Sequence, residues 1–301
     1  MTTAAHALSD LEARAASGAA MTRADAEAVA ACPDLASVGM LGDGLRRAWR
    51  GNRVTFGRVL VVEGDAPETA GEAGEVRLAG APATLDAARA RVRDAVARAG
   101  GVPVTAFSLA DLEALAGDDH VAMAEIGAAL RADGLDGLAE VVLDRVDDLE
   151  AAAASLRAVA RGGLAARRAT IHAAPDLADR LRLLEIAAAL QEATGAFRAV
   201  APLPRLDSAD TPSTGYDDVR TVAAARLRCR AIPSIQVDWL LYGPKLAQVA
   251  IAYGADDLDA VPAHDVLKLG HRRSPREDLE RQIRAAFAAP AERDGRYAVR
   301  E

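Results

Sequence analysis

The amino-acid sequence predicts an α/β protein: a (β/α) barrel of the TIM type with a helical N-terminal lead-in and a C-terminal helix. Seven strand-like segments alternate with helical segments along most of the 301 residues. Such alternation is typical of parallel sheets, and it extends over about the 250 residues that a barrel of this type needs. A doubly wound, open sheet is the alternative, because periodicity does not distinguish the two arrangements.

The lead-in, residues 1–52, is predicted to be helical, and its third helix covers residues 34–50. The next segment, RVTFGRVLVVEG, is rich in β-branched residues without alternation, as expected for a strand buried on both faces. The predicted strands are 54–62, 75–80, 102–108, 137–144, 168–173, 197–203 and 234–239. The predicted helices between and after them are 83–99, 119–133, 147–161, 175–194, 214–230 and 243–253.

Three parts of the chain follow from this pattern. The barrel is predicted to span residues 53–270, and residues 271–301 are predicted to form a helix and a polar tail packed on it. The segment EGDAPETAGEAGE at 63–75 has the composition of an exposed loop. Because it directly follows the first strand, we expect it at the C-terminal face, where barrel enzymes hold their active sites.

Charge and composition exclude several classes of function. A net charge of −8 and an isoelectric point near 5.3 argue against a nucleic-acid or anionic-membrane partner. No apolar stretch approaches the roughly 20 residues of a membrane-spanning helix. The N-terminus, MTTAAHALSD, lacks the cationic and apolar regions of a secretory signal. We therefore expect a cytoplasmic protein.

The cysteine content excludes metal centres that are built on thiolates. Cys32 and Cys229 are the two cysteines of the chain, and they lie far apart in the sequence. Within one chain they cannot supply a disulfide framework, a zinc ribbon or the ligands of an iron–sulfur cluster. We expect two reduced and partly buried thiols.

Motifs of nucleotide binding, metalloproteases and serine hydrolases are absent from the sequence. His172 stands at the end of a predicted strand, where barrel chemistry occurs, although such a histidine is commonly a hydrogen-bonded structural residue. Alternation along SIQVDW puts Gln236 and Asp238 on one face of a strand. That polar face is costly to bury unless it is paired or ligand-bound, so it either lines a site or meets solvent.

We expect any ligand to bind at the mouth formed by the strand ends. Asp256 and Asp257 follow Gly254, and they form either a paired-carboxylate site that closes one side of the mouth or a polar turn that caps a helix. The candidate ligand-binding residues are His172, Gln236, Asp238, Tyr242, Asp256 and Asp257.

Five segments resemble, in order, those of a known enzyme family. They are LRRAWRGNRVTF, ALRADGLDGLAEVVLD, LLEIAAALQEATGAFRAVAPLPR, the block from YDDVR to GADDLDAV, and SPREDLERQIRAAFAAPAERDGRYAV. The block is the most diagnostic, because a W-x-x-x-G-x-x-x-A-Q run precedes its GADD turn. These segments resemble the radical-SAM enzymes of the futalosine route to menaquinone, namely aminofutalosine synthase and dehypoxanthine futalosine cyclase.

The chain departs from this family where the family carries its cofactors. The resemblance implies a [4Fe–4S] cluster held by CxxxCxxC on the loop after the first strand, and the loop 63–75 has no cysteine. We therefore expect no cluster. The glycine-rich segment of the family is reduced to LAGAPA at 78–83, and its GHxET segment to IHAAPDL, in which His172 is kept. Binding of S-adenosylmethionine is accordingly doubtful.

These departures favour a cluster-less homologue, a pseudoenzyme associated with menaquinone biosynthesis by the futalosine pathway. We expect it to bind a small-molecule pathway intermediate or a catalytic paralogue without radical chemistry, and to form a dimer. The alternative is a non-radical barrel enzyme, a lyase or hydrolase that acts on a related aryl or nucleoside acid. A ligand screen that separates binding from turnover distinguishes the two.

Overall fold

Eight parallel strands close into a barrel surrounded by helices, which confirms the predicted TIM-type fold. The structure is a computed structural model that describes residues 3–64, 69–117, 119–174, 176–205, 213–263 and 276–300. The strands are β1 (Arg53–Val62), β2 (Glu75–Leu78), β3 (Val104–Ser108), β4 (Gly137–Val142), β5 (Arg168–Ile171), β6 (Ala199–Pro202), β7 (Ser234–Asp238), β8 (Asp257–Pro262) and β9 (Ala289–Arg293). The helices are α1 (Thr3–Ala16), α2 (Arg23–Ala31), α3 (Leu35–Arg50), α4 (Leu85–Ala99), α5 (Leu109–Ala116), α6 (His120–Ala132), α7 (Leu149–Arg161), α8 (Leu177–Thr194), α9 (Gly215–Arg228), α10 (Trp239–Ile251) and α11 (Arg276–Ala285).

The barrel strands pair in chain order from β1 to β8, and β8 pairs again with β1. Every pairing between these strands is parallel, so their carboxyl ends all lie at one end of the barrel. The seven predicted strands are present. The eighth strand was not predicted, because Asp257 and Asp259 interrupt its apolar pattern. Both aspartates are fully buried in the structure.

Strand β9 is hydrogen-bonded to the first half of β1, from Arg53 opposite Ala289 to Gly57 opposite Arg293. Strand β2 pairs with the second half of β1, so β9 fills the part of that edge that β2 does not reach. A Cβ atom at Gly57 would lie 2.6 Å from Nη1 of Arg293, which explains the glycine. The predicted polar tail is therefore partly wrong: it contains a strand of the sheet.

The turn after β9 returns along the amino ends of the barrel strands. The guanidinium of Arg293 stacks on the ring of Tyr297, 4.2 Å from its centroid. The hydroxyl of Tyr297 accepts a hydrogen bond from Nε2 of Gln236, which projects from β7. These side chains close the amino-terminal end of the barrel interior with polar contacts.

The lead-in helices pack on the outside of the barrel, against α9. Their buried apolar residues form one cluster: Leu8, Leu11, Val29, Val38, Leu41 and Leu45, together with Ala223 and Leu227 of α9. Helix α3 approaches the turn after α10 so closely that a Cβ atom at Gly42 would lie 2.3 Å from the carbonyl oxygen of Tyr253. This contact fixes where the lead-in docks.

The described helices include none with the length and apolar character needed to cross a membrane. The predicted boundary between the barrel and the C-terminal helix, at residues 270–271, lies outside the described residues.

Candidate functional site

A cavity of about 810 Å³ opens at the carboxyl ends of the barrel strands, and we call it the mouth cavity. The charged and polar residues that line it include Glu63, Arg77, Ser108, Asp111, Glu140, Asp144, Arg145, Arg168, His172 and Asp238. The apolar residues that line it include Val61, Leu78, Phe107, Val142, Leu203 and Leu241. Barrel proteins bind their ligands at this end because the loops after the strands converge there.

Arg168, on β5, is a buried cation of this cavity. Its Nε donates a hydrogen bond to Oε1 of Gln236 at 2.7 Å. Its Nη1 lies 3.6 Å from Oε2 of Glu140 and its Nη2 lies 3.9 Å from Oδ2 of Asp238, which is too long for hydrogen bonds. Neither terminal nitrogen has a hydrogen-bond acceptor among the described residues, although the side chain is only 8% exposed. Such a guanidinium is suited to binding an anion.

Glu140, on β4, and His172, just after β5, form a hydrogen-bonded pair. Nε2 of His172 lies 2.9 Å from Oε2 of Glu140, which also accepts a hydrogen bond from the hydroxyl of Thr170. Burial alone would raise the pKa of Glu140, but the hydrogen bond from His172 and the charge of Arg168 lower it to about 2. Glu140 is therefore a carboxylate at neutral pH, so Nε2 of a neutral His172 carries the proton and Nδ1 does not.

Asp144 fixes the main chain at His172. It lies in the 3₁₀ turn Leu143–Arg145 that follows β4. Its Oδ2 accepts the N–H of His172 and its Oδ1 accepts the N–H of Ala173, both at 2.8 Å. The side chain of His172 is 41% exposed and lines the cavity. The structure thus places His172 at the mouth, as the sequence predicted.

Asp238 ends β7 and also caps α10. Its Oδ1 accepts the main-chain N–H groups of Leu240 and Leu241, both at 3.0 Å. Its Oδ2 is the oxygen that lies near Arg168. Burial raises the pKa of Asp238 above its usual range despite the nearby Arg168. As the alternation predicted, Asp238 lies on the interior face with Gln236, and it lines the mouth cavity.

Gln236 and Tyr242 do not line the mouth cavity. Gln236 is fully buried in the barrel interior, where it accepts a hydrogen bond from Arg168 and donates one to Oδ2 of Asp257 at 2.6 Å. Tyr242 is buried on α10, and its hydroxyl donates to the carbonyl oxygen of Pro202 at 2.7 Å. Gln236 therefore supports Arg168, and Tyr242 ties α10 to β6.

Asp256 and Asp257 lie at the amino-terminal end of the barrel, so the expectation that they close one side of the mouth is wrong. Asp256 precedes β8 and Asp257 begins it. Asp256 pairs with the buried Arg226 at 2.6 Å and accepts the N–H of Ile235 at 2.8 Å. Asp257 accepts hydrogen bonds from Nε and Nη2 of Arg293 at 2.7 and 2.8 Å. Both carboxylates compensate buried arginines rather than face the mouth.

Sequence analysis did not single out several polar residues of the mouth, among them Arg168, Glu140 and Asp144. A signal was present, because Arg168 and Glu140 stand inside predicted strands that are otherwise largely apolar. A charge in such a strand must be paired or face a ligand, since burying it alone is costly. Asp144 ends the predicted strand 137–144, but an aspartate at a strand end is ordinary in a turn and was not singled out.

The described side chains at the mouth do not offer the donor atoms of the cluster that the family resemblance implies. Neither cysteine lines the mouth cavity. Cys32 follows α2. Cys229 follows α9, and its thiol is directed at the carbonyl oxygen of Leu184. Burial raises the pKa of Cys229 to about 12, so the thiol stays protonated. In the described ranges no three His, Cys, Asp or Glu side chains are arranged to hold a metal ion. These residues do not fit a [4Fe–4S] cluster.

Comparison with known proteins relates the chain to enzymes of one superfamily. It is 33% identical to aminodeoxyfutalosine synthase from Streptomyces coelicolor over 140 residues, which cover 40% of this chain and 35% of that protein. It is 28% identical to aminodeoxyfutalosine synthase from Thermus thermophilus over 228 residues, 65% of this chain and 60% of that protein. The chain thus spans between about a third and three fifths of these two relatives. No family model matches it.

Among solved structures, methylornithine synthase (PylB) has the same fold. Its TM-score to this chain is 0.68, and the superposition covers 93% of this chain and 97% of PylB at 12% sequence identity. The chain is a TIM-type α/β barrel. Its sequence matches make it a distant homologue of radical-SAM enzymes. It has two cysteines and no CxxxCxxC motif.

Proposed function

We propose that this chain binds a small carboxylic acid with an apolar body in the mouth cavity, without radical chemistry. The observation that carries the proposal is the buried guanidinium of Arg168, which lines the cavity with two nitrogens that lack hydrogen-bond acceptors among the described residues. Both nitrogens can therefore donate to a ligand in the cavity, and a carboxylate accepts two parallel N–H groups from one guanidinium. A bound carboxylate would satisfy these donors.

The remaining walls of the cavity suit an apolar body. Val61 and Leu241 line the cavity with 43% and 38% of their surface exposed, and Phe107 and Leu203 line it from buried positions. Covering exposed apolar surface contributes roughly 25 cal/mol per Å² to binding. An aryl acid would therefore place its carboxylate on Arg168 and its ring against these side chains.

The likeness to aminodeoxyfutalosine synthase supports a ligand from the futalosine route to menaquinone. In this proposal the chain is a cluster-less, non-radical binding protein of that route. Association with a catalytic paralogue, and dimer formation, stay predictions of the sequence.

The first test compares phenylacetate with phenylacetamide, its neutral counterpart of similar shape. Both are titrated into the wild-type protein by isothermal calorimetry. We expect phenylacetate to bind at least about tenfold more tightly, because hydrogen bonds to a charged group contribute roughly 1.5–3 kcal/mol and about 1.4 kcal/mol is tenfold in affinity. Equal affinities, or no binding of either compound, would overturn the proposal.

The second test changes the cation. Arg168→Gln should lose the preference for phenylacetate. Arg167→Gln is the matched control, because Arg167 is the preceding residue and pairs instead with Asp136 at 2.8 Å, away from the cavity lining. We expect this control to keep the wild-type preference. Retention of the preference in Arg168→Gln would assign the anion to another residue.

A further inference from the structure

We propose that the mouth cavity is also a general-base site, in which His172 removes a proton from a carbon atom close to the carboxylate of the bound acid. This inference rests on the proposed binding of a carboxylic acid at Arg168. The observation behind it is a carboxylate–imidazole pair, Glu140 and His172, directly beside the guanidinium that would hold the ligand.

The imidazole of His172 is held in one orientation and one tautomer. Its Nε2 donates to Oε2 of Glu140 at 2.9 Å, and Asp144 fixes the main chain of the same residue through two hydrogen bonds of 2.8 Å. A carboxylate that binds one ring nitrogen leaves the other nitrogen with a free lone pair and stabilises the imidazolium formed when that nitrogen takes a proton. Glu140 is therefore a positioning residue, and His172 is the base.

The free nitrogen is available to a ligand. Nδ1 of His172 has no hydrogen-bond partner within the part of the chain that the structure describes, and the side chain is 41% exposed in the cavity wall. Oε2 of Glu140 lies 2.9 Å from Nε2 of His172 and 3.6 Å from Nη1 of Arg168. The base and the anion-binding group thus contact the same carboxylate and line the same cavity. Proton transfer requires that a carbon atom next to the carboxylate held by Arg168 reaches Nδ1.

The proton transfer is balanced within the site. With phenylpyruvate as the probe, the C3–H bond breaks, the proton goes to Nδ1 of His172, and the electron pair forms the C2–C3 double bond of an enolate. The negative charge then rests on the 2-oxo oxygen, next to the carboxylate held by Arg168. Return of a solvent-derived proton from the imidazole restores the ketone, so in heavy water the net change is replacement of C3 hydrogen by deuterium.

The experiment follows loss of the C3–H signal of phenylpyruvate in D₂O by ¹H NMR, with buffer as the reference. We expect the wild-type protein to accelerate exchange by about 100-fold or more, the lower range for general-base catalysis. His172→Ala should abolish the acceleration, and added imidazole should restore part of it. His120→Ala is the matched control, because His120 contacts Ser155 between outer helices and should leave the rate unchanged.

Glu140→Gln separates positioning from binding. We expect its exchange rate at saturating phenylpyruvate to fall about tenfold or more, with little change in the half-saturating concentration, since the amide lacks the charge that stabilises the imidazolium. Binding of phenylpyruvate without exchange above the buffer rate would overturn the inference and leave the proposed function intact. Absence of any binding would overturn both.

Discussion

At the scale of single residues, the barrel interior depends on the compensation of buried charges. Arg293 donates two hydrogen bonds to Asp257 and a third, of 2.8 Å, to Oδ1 of Asp259. All three side chains are 1% exposed or less. Burial alone would raise the pKa of Asp259, but the surrounding arginines, Arg77 first, lower it below its usual value. Asp259 is therefore ionised in the folded protein. The cost of burying its charge is compensated by the neighbouring arginines.

Arg293→Met tests this dependence. We expect the free energy of unfolding to fall by about 3–5 kcal/mol, because removal of one partner leaves a buried charge uncompensated. Urea denaturation measures the change. Arg281→Met is the control, since the side chain of Arg281 is 75% exposed in a surface pair with Asp278, and it should change stability by less than about 1 kcal/mol. A loss below about 1 kcal/mol in Arg293→Met would show that the interior charges are compensated without it.

At the scale of elements, the contact of α3 with the turn after α10 can be tested through a glycine. Replacing a helical glycine by alanine ordinarily stabilises a helix by about 1 kcal/mol. At Gly42 the new Cβ would lie 2.3 Å from the main-chain oxygen of Tyr253, so α3 must shift. We expect Gly42→Ala to destabilise the protein by about 1–3 kcal/mol, measured by thermal or urea unfolding.

Gly44→Ala is the matched variant on the same helix. Its Cβ would meet only the carboxylate end of the Glu12 side chain, at 2.8 Å, and that end can move away. We expect this variant to be neutral or stabilising. Equal effects of the two substitutions would mean that the docking of α3 does not depend on close contact at Gly42.

Most strands and helices could be predicted from the sequence because their apolar residues follow the pattern of one kind of secondary structure. Strands such as VPVTAFS and SIQVDW contain the apolar and β-branched residues of a covered sheet, and the structure has β3 and β7 there. Strands β8 and β9 do not obey that rule, since Asp257, Asp259 and Arg293 point into the interior and pair with each other. Such pairing depends on residues distant in the sequence, so local pattern could not predict it.

Part of the candidate site could also be predicted from the sequence. His172 and Asp238 were expected at the mouth because they stand at strand ends in a parallel topology, and both line the mouth cavity. Asp256 and Asp257 were expected at the wrong end of the barrel because β8, which begins at Asp257, was not predicted. Arg168 was not singled out, although its charge inside a predicted strand was a signal. Which of its nitrogens remain without partners is a property of the folded chain alone.

At the scale of the whole molecule, the ionisation of Glu140 at the mouth makes the free energy of unfolding depend on pH. The pKa of Glu140 is lowered from its usual 4.5 to about 2, so its ionised form stabilises the folded state above pH 4.5. That contribution is lost as the pH falls from 4.5 toward 2. We expect the difference in unfolding free energy between wild type and Glu140→Gln to shrink over this window, by at most about 1.4 kcal/mol per pH unit.

Urea denaturation at several pH values between 5 and 3 measures this difference. Carboxylates elsewhere in the barrel titrate in both proteins, so their contributions largely cancel when the two are subtracted. A difference that stays constant across the window would mean that Glu140 is not held as a carboxylate by His172 and Arg168.

The position of β9 beside β1 has a consequence for how the chain folds during synthesis. Thr55 of β1 is bonded to Asp257, 202 residues later, and Arg58 to Glu292, 234 residues later. When β1 leaves the ribosome, the partners of both edges of its first half are therefore not yet made. The segment RVTFGRVLVV is then an exposed β-prone edge, which is where nascent chains aggregate. We expect refolding from urea to be slow and its yield to fall as protein concentration rises, because β1 pairs with segments that lie more than 200 residues later in the chain.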